Sequence, residues 1–172
     1  MIVMAESTAH TGRVKKGNRL PLDSTSKAPN IAARIWSDVD QAIPNSAGGP
    51  TTPETYLRFD QARFDTDRLF STTTPDRLTI PVSGIYLITA TVAWEHPPTA
   101  AGDRVVRLVA GGKIIAAEQV FTPFAPIQSV AGLDRLSAGD TVQVVVGTDT
   151  DTKVLTLDGD SPSLSVVWLA PG

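Results

Sequence analysis

The chain has 172 residues, of which 41% are hydrophobic, a formal net charge of -3, and no cysteine. This length and hydrophobic content are enough for one domain with a sizeable core that needs no disulfide bonds. The lack of cysteine excludes thiol catalysis and thiolate metal centres. No run approaches the roughly 18 consecutive apolar residues of a membrane-spanning helix, so we expect no membrane insertion.

The charge is divided unevenly along the chain. Residues 1–30 carry five basic against two acidic residues, a net +3, whereas the remainder carries ten against 16, a net -6. An acidic body argues against nucleic-acid binding, which needs a basic face. We therefore divide the chain into an extended basic arm, residues 1–31, and a globular domain, residues 32–172. The candidate anchoring residues of the arm are Arg13, Lys15, Lys16, Arg19 and Lys27.

The arm is rich in Ser, Thr and Lys and contains Pro21 and Pro29. Such a composition buries too little apolar surface to order itself. One reading is a solvated tail, as is common at chain termini. The other reading is that neighbouring subunits or a different protein hold the arm.

From residue 32 onward, short apolar runs alternate with turn signals, and no helical period appears. The sequence predicts ten strands, at residues 32–36, 55–59, 76–81, 84–95, 103–110, 113–121, 128–136, 141–147, 153–157 and 163–169. Gly111-Gly112 is a two-residue hairpin signal. This spacing of strands and turns predicts an all-β, antiparallel jelly-roll sandwich of about ten short strands.

The strand predicted at residues 84–95 has the clearest alternation in the chain. Tyr86, Ile88, Ala90, Val92 and Trp94 follow one another at a spacing of two, which places them on one face of a strand. That face is expected to fill the core.

The residues around this strand have a characteristic spacing. Phe59, five residues, Asp65, four residues and Phe70 precede Gly84, Tyr86, Ile88 and Trp94, and Gly139-Asp140 follows in a second turn-and-strand block. This pattern resembles the signature of the complement C1q/tumour necrosis factor (TNF) superfamily over residues 32–169. The resemblance implies a ten-stranded jelly roll that associates as a homotrimer and serves in adhesion or display.

The sequence offers little for catalysis. His10 and His96 are its only histidines, and no Gly-x-Ser-x-Gly elbow or phosphate-binding glycine loop is present. The acidic turns at residues 149–151 and 158–160 invite a calcium interpretation, but Asp and Gly are also ordinary turn formers. We therefore predict no enzymatic activity, no cofactor and no metal.

Trp94, Glu95 and His96 form the one cluster that could bind a ligand. An aromatic ring, a carboxylate and an imidazole at a strand end suit a sugar or a peptide. The simpler interpretation, which we favour, is that Trp94 caps the core and His96 is exposed in a loop.

Several predicted strands are apolar on both sides. Strands of this kind are usually buried on both faces, so the face turned away from the core needs a partner. The candidate residues for a trimer interface are Ile85, Leu87, Val145, Val167 and Leu169.

The sequence also suggests where such a protein acts. Glu6 interrupts the apolar start of the chain before the roughly 7–15 apolar residues of a signal peptide, so we expect synthesis in a host cytoplasm without export. Together with the basic arm and the resemblance, this indicates a bacteriophage virion protein, either a minor tail or baseplate protein or a capsid decoration protein, anchored to other virion proteins by the arm. The alternative is an adhesion module that binds a carbohydrate or a host cell surface.

Overall fold

A computed structural model describes residues 30–45, 54–95, 102–122, 124, 126–157 and 161–172. Within these ranges the chain forms twelve β-strands: β1 (Ala32–Trp36), β2 (Gln41–Ile43), β3 (Thr55–Tyr56), β4 (Gln61–Asp65), β5 (Leu78–Thr79), β6 (Gly84–Trp94), β7 (Gly102–Ala110), β8 (Lys113–Thr122), β9 (Ile127–Leu136), β10 (Thr141–Thr148), β11 (Thr152–Leu155) and β12 (Ser163–Ala170). No helix in the described ranges is long and apolar enough to cross a membrane.

The strands form two sheets that pack as a sandwich. The larger, seven-stranded sheet has the order β2-β11-β6-β12-β1-β4, with β9 paired to the other side of β6. The smaller, five-stranded sheet has the order β3-β10-β7-β8, with β5 also paired to β10. All of these pairings are antiparallel. The predicted all-β antiparallel architecture is confirmed.

All ten predicted strands are present, and most agree with the structure to within one or two residues. The strands predicted at residues 55–59 and 76–81 are shorter, because only Thr55–Tyr56 and Leu78–Thr79 have strand partners. The sequence missed β2 and β4. Both are short edge strands with polar residues, so neither shows an apolar alternation that could reveal it.

The hairpin between β7 and β8 forms as predicted. Gly111 and Gly112 have φ angles of 54° and 75°. A two-residue turn of this kind needs positive φ at both positions, which glycine adopts without strain.

The core lies between the two sheets. Tyr86, Ile88 and Val92 of β6 are fully buried there, as their alternation predicted. Ile31 is also buried in this core, with 2% of its surface exposed. Ile31, which the sequence analysis assigned to the arm, is therefore part of the described core.

Asp65 and Asp140, two residues of the superfamily signature, bind backbone groups in tight loops. The Asp65 carboxylate accepts hydrogen bonds from the backbone N–H groups of Leu69 (2.9 Å) and Phe70 (3.0 Å). The Asp140 carboxylate accepts one from the N–H of Ser137 at 2.7 Å, in a turn where Gly139 has a φ of 92°. In both loops the carboxylate satisfies backbone donors that no strand partner reaches.

Trp94 closes one end of the core. Its indole N–H donates to the Gln128 amide oxygen at 2.7 Å, and the guanidinium of Arg104 lies 5.6 Å from its ring centroid. Arg104 is fully buried, and its Nη1 donates to the hydroxyls of Thr148 and Thr150, each at 2.8 Å. Burial lowers the pKa of this guanidinium, and the nearby carboxylates of Asp149 and Asp103 oppose that shift.

Gly84 provides a test of the packing at the opposite end of β6. A Cβ atom at this position would overlap the indole nitrogen of Trp168 and lie 2.7 Å from the carbonyl oxygen of Ala170. Because overpacking of this kind costs about 1–3 kcal/mol, we expect Gly84→Ala to lower the free energy of unfolding by about that amount in urea denaturation.

Gly132→Ala is the matched control. Its new Cβ would lie 2.9 Å from Cδ1 of Ile115, the flexible end of a side chain that can turn aside. An equal or larger loss of stability in Gly132→Ala would contradict this explanation of Gly84.

Candidate functional site: an exposed apolar stripe

The outer face of the larger sheet carries a row of exposed apolar side chains. Leu87 of β6 lies directly opposite Val167 of β12 on one side and Leu133 of β9 on the other. These three side chains are 36%, 38% and 61% exposed, and Leu169 nearby is 48% exposed. With the half-buried Ile85, these residues form what we call the apolar stripe: Ile85, Leu87, Leu133, Val167 and Leu169.

Four residues of the stripe were candidates from the sequence, and Leu133 was missed. Its signal was the same as that of Leu87, since both are apolar at positions where the alternation calls for polar side chains. Of the other outward residues of β9, Ser129 and Arg135 follow the expected polar pattern, whereas Ile127 and Ala131 do not.

Val145, the remaining candidate, does not belong to this surface. It lies in the smaller sheet and is fully buried. Its cross-strand neighbours are Arg107 and Tyr56, and Nη1 of Arg107 donates to the carboxylate of Glu54 at 3.0 Å. The outer face of β10 is therefore covered within the subunit, so its apolar residue needs no partner chain.

Beside the stripe, the outer face of the larger sheet is built from small side chains. Thr89 lies opposite Ala131 and Ser165, and Thr91 lies opposite Ser129. The hydroxyls of Thr91 and Ser129 are 3.3 Å apart. Short side chains of this kind let a second surface approach the sheet closely.

A second apolar surface lies along the edge of the sandwich formed by β8 and β9. In the described residues β8 pairs only with β7, and β9 only with β6, so both ten-residue strands have an unpaired side. Four large side chains are well exposed on these strands and the loop that joins them: Ile114 (57%), Phe121 (68%), Phe124 (69%) and Ile127 (64%). Long open strand edges with apolar side chains tend to pair with another chain unless they are covered.

The possible ligand cluster at the end of β6 is not assembled as a site. Trp94 is only 1% exposed and packs in the core, so its ring cannot stack on a ligand. Glu95 pairs with Lys153, with 3.9 Å between Oε1 and Nζ. His96 lies outside the described residues.

The acidic turn at residues 149–151 is occupied by backbone contacts. Asp149 accepts a hydrogen bond from the N–H of Asp103, and Asp151 accepts one from the N–H of Asn45, each at 2.8 Å. The second acidic turn, at residues 158–160, lies outside the described residues. In the part of the chain that is described, no group of three His, Cys, Asp or Glu side chains could hold a metal ion.

A surface pocket of about 330 Å³ lies near the β1–β2 loop, lined by Ser37, Val39, Gln41, Arg58, Phe59, Asp60, Thr72 and Pro75. Burial and a neighbouring carboxyl group, Asp38, raise the pKa of Asp60. The Ser37 hydroxyl is already bonded to the backbone of Val39. The pocket lining therefore contains no serine activated by an adjacent base.

The basic residues of the arm, from Arg13 to Lys27, also lie outside the described residues. The arm joins the body at Asn30, whose carbonyl oxygen accepts a hydrogen bond from the hydroxyl of Thr66 at 2.7 Å. The candidate binding surfaces on the described body are therefore the apolar stripe, the β8–β9 edge and the pocket beside the β1–β2 loop.

No protein-family model matches the chain, and neither does any curated protein. Among solved structures, the crystal structure of murine APRIL at pH 5.0 is similar, with a TM-score of 0.59 and 18% sequence identity, over 82% of this chain and all of that chain. A second crystal structure of murine APRIL, at pH 8.5, matches with a TM-score of 0.53 and the same identity and coverage.

At this level of identity the similarity establishes the fold and leaves function to be argued from the surface. APRIL is a jelly-roll protein of the TNF family. The strand order of the two sheets and this similarity together show that the chain has a TNF-like, all-β jelly-roll fold.

Proposed function

We propose that the chain is a non-enzymatic, homotrimeric structural protein of a bacteriophage virion. The observation that carries the self-association is the apolar stripe, where Leu87, Val167 and Leu133 stand side by side and exposed on one sheet. Contiguous exposed apolar patches of this kind mark interaction sites in soluble proteins. The resemblance to the C1q/TNF superfamily implies that the partner is the same chain.

The two apolar surfaces favour a closed ring over a two-fold dimer. The stripe lies on the face of the larger sheet, whereas Phe121 and Ile114 lie on the β8–β9 edge. Contact between one copy's edge and the next copy's face is heterologous, because it joins two different surfaces. Such contacts generate rings when the rotation closes, and the superfamily resemblance implies three copies.

The proposal that the trimer belongs to a virion rests on separate arguments. Its support is the sequence resemblance, the short basic arm and the cysteine-free chain, which suit a domain that is assembled in a reducing cytoplasm. On this proposal, the arm anchors the trimer to another virion protein of the tail, baseplate or capsid, and the jelly roll is displayed. Mass spectrometry of purified phage particles tests it directly, because the chain must remain with particles after washing in high salt and detergent.

The alternative function is host attachment, through recognition of a carbohydrate or another cell-surface molecule. The observation that favours it is the pocket beside the β1–β2 loop, where Arg58 and Asp60 offer a guanidinium and a carboxyl group to a polar ligand. Binding to a glycan array separates the two functions. Saturable binding that is lost in Arg58→Ala supports attachment, and a purely structural protein shows none.

Leu87→Asp tests the self-association. A carboxylate placed in an apolar interface without a partner costs about 3–5 kcal/mol, which corresponds to roughly 100-fold to 4,000-fold weaker association. In light scattering at micromolar concentration, we expect the unmodified chain to have the mass of a trimer and Leu87→Asp that of a monomer.

Val39→Asp is the matched control, because it makes the same change at a side chain that is 59% exposed in a loop outside both apolar surfaces. It should remain trimeric. A monomeric mass for the unmodified chain would refute the homotrimer.

Deletion of residues 1–29 tests the role of the arm. The body from Asn30 onward keeps the hydrogen bond of Asn30 to Thr66 and every buried residue of the described core, so we expect a folded, trimeric protein with an unchanged unfolding transition. On the proposed function, the truncated trimer no longer joins the particle in an incorporation assay. Normal incorporation would show that the jelly roll itself makes the anchoring contact.

A further inference from the structure

The segment at residues 57–60 connects the smaller sheet to the larger one and forms one wall of the pocket beside the β1–β2 loop. Each of its four backbone N–H groups donates to a different part of the chain: Leu57 to the carbonyl oxygen of Val144 (2.9 Å), Arg58 to the amide oxygen of Gln41 (2.8 Å), Phe59 to the carbonyl oxygen of Pro75 (2.8 Å) and Asp60 to that of Trp36 (3.2 Å). The backbone of this wall is therefore held in place without a ligand.

The side chains of the segment alternate between the core and the pocket. Leu57 and Phe59 are 0% and 1% exposed, whereas Arg58 and Asp60 are exposed. In an extended backbone, residues two positions apart point to the same side, with about 6.6 Å between their Cα atoms. A guanidinium and a carboxyl group are thus presented side by side from one fixed segment.

These two charged groups are available to a ligand, whereas neighbouring polar groups of the pocket are engaged. The Gln41 amide bonds to the backbone N–H and carbonyl of Arg58, each at 2.8 Å, and the Ser37 hydroxyl is bonded to nearby backbone. Within the described ranges, the Arg58 guanidinium forms no hydrogen bond or ion pair. The Asp60 carboxylate accepts a hydrogen bond from the N–H of Asp38 at 3.2 Å.

The electrostatics at the two ends of this wall call for opposite charges. Burial and the carboxyl group of Asp38 raise the pKa of Asp60, and in the described part of the chain no basic side chain forms an ion pair with either aspartate. A cation bound against Asp60 offsets the repulsion between the two carboxylates. At the other end, the guanidinium of Arg58 suits a carboxylate, which it can bind through two parallel hydrogen bonds.

We propose that this pocket binds the zwitterionic head of an α-amino acid, with Arg58 holding its carboxylate and Asp60 its ammonium group. Both groups of the head are attached to one carbon atom, so the head, with a hydrogen bond of about 2.8 Å at each end, bridges two side chains that stand two positions apart. The amino-acid side chain then lies against Val39 and Pro75, two apolar residues of the lining. The volume of about 330 Å³ lies within the range of about 300–1,000 Å³ that is usual for small-molecule sites.

This inference goes beyond the virion role and does not depend on the homotrimer, because every residue that carries it lies within one subunit. It narrows the host-attachment alternative to ligands that carry an ammonium and a carboxylate on one carbon. A neutral sugar offers hydroxyl groups to both Arg58 and Asp60 but leaves both charges unbalanced.

Three ligands of similar shape test the head group. L-leucine carries both charges, L-leucinamide lacks the carboxylate, and 4-methylpentanoate lacks the ammonium group. In a nuclear magnetic resonance titration of the full-length protein slightly below neutral pH, we expect either analogue to bind at least about 10-fold more weakly than L-leucine, because each has lost hydrogen bonds between charged groups. An analogue that binds as tightly as L-leucine, or the absence of saturable L-leucine binding, would overturn the inference.

Two variants test which residue holds which charge. Arg58→Gln should weaken L-leucine binding about 10-fold and leave L-leucinamide binding unchanged, since that analogue has no carboxylate to lose. Asp60→Asn should weaken L-leucine binding and leave 4-methylpentanoate binding no weaker, and asparagine keeps an oxygen acceptor for the N–H of Asp38. Equal losses for all three ligands in either variant would overturn the assignment of that residue.

Arg63→Gln is the matched control, because it removes the same charge at an exposed residue of β4 outside the pocket lining. It should bind all three ligands as the unmodified chain does. The outcomes also separate this inference from the functions proposed above. Glycan binding that requires Arg58, without L-leucine binding, would overturn the amino-acid head and support attachment to a sugar. The mass in light scattering reports on the homotrimer independently of either result.

Discussion

The structure depends on one strand, β6, that is apolar along its inward face and, in its first half, on its outward face as well. Its inward side chains, among them Tyr86 and Ile88, are fully buried between the sheets. Its outward residues Ile85 and Leu87 belong to the apolar stripe. The inward face stabilises the single subunit, since each large buried side chain contributes about 1.5–3 kcal/mol. The outward face gains the same kind of stabilisation only when a second surface covers it, so one strand links folding of the subunit to its assembly.

Most of the fold could be predicted from the sequence because its long strands have recognisable patterns of apolar residues and are bounded by turn residues. Alternation identified β6, and a glycine pair identified the turn between β7 and β8. The edge strands β2 and β4 gave no such signal, because their existence depends on pairing with β11 and β1. Pairing between distant segments is a tertiary property, so a local pattern of polar residues does not reveal it.

The residues of the candidate site were predicted in part, and the one wrong residue, Val145, has a specific physical explanation. An apolar residue at a polar position of a strand correctly indicated an outward side chain at Leu87 and Val167. The same reasoning failed at Val145, where the long side chain of Arg107 and the ring of Tyr56 flank the position within the subunit. A sequence shows that a face is apolar, but whether neighbouring strands cover that face depends on their register.

Several of the residues that carry the superfamily resemblance lie at one end of the sandwich. Asp65, Gly84 and the Gly139-Asp140 turn all fix loops or close packing at the end from which the arm leaves. β1, the first described strand, is hydrogen-bonded on both sides, to β12 and to β4. On the proposed function, in which the arm anchors the domain, β1 is therefore the first described strand to carry a load on the arm.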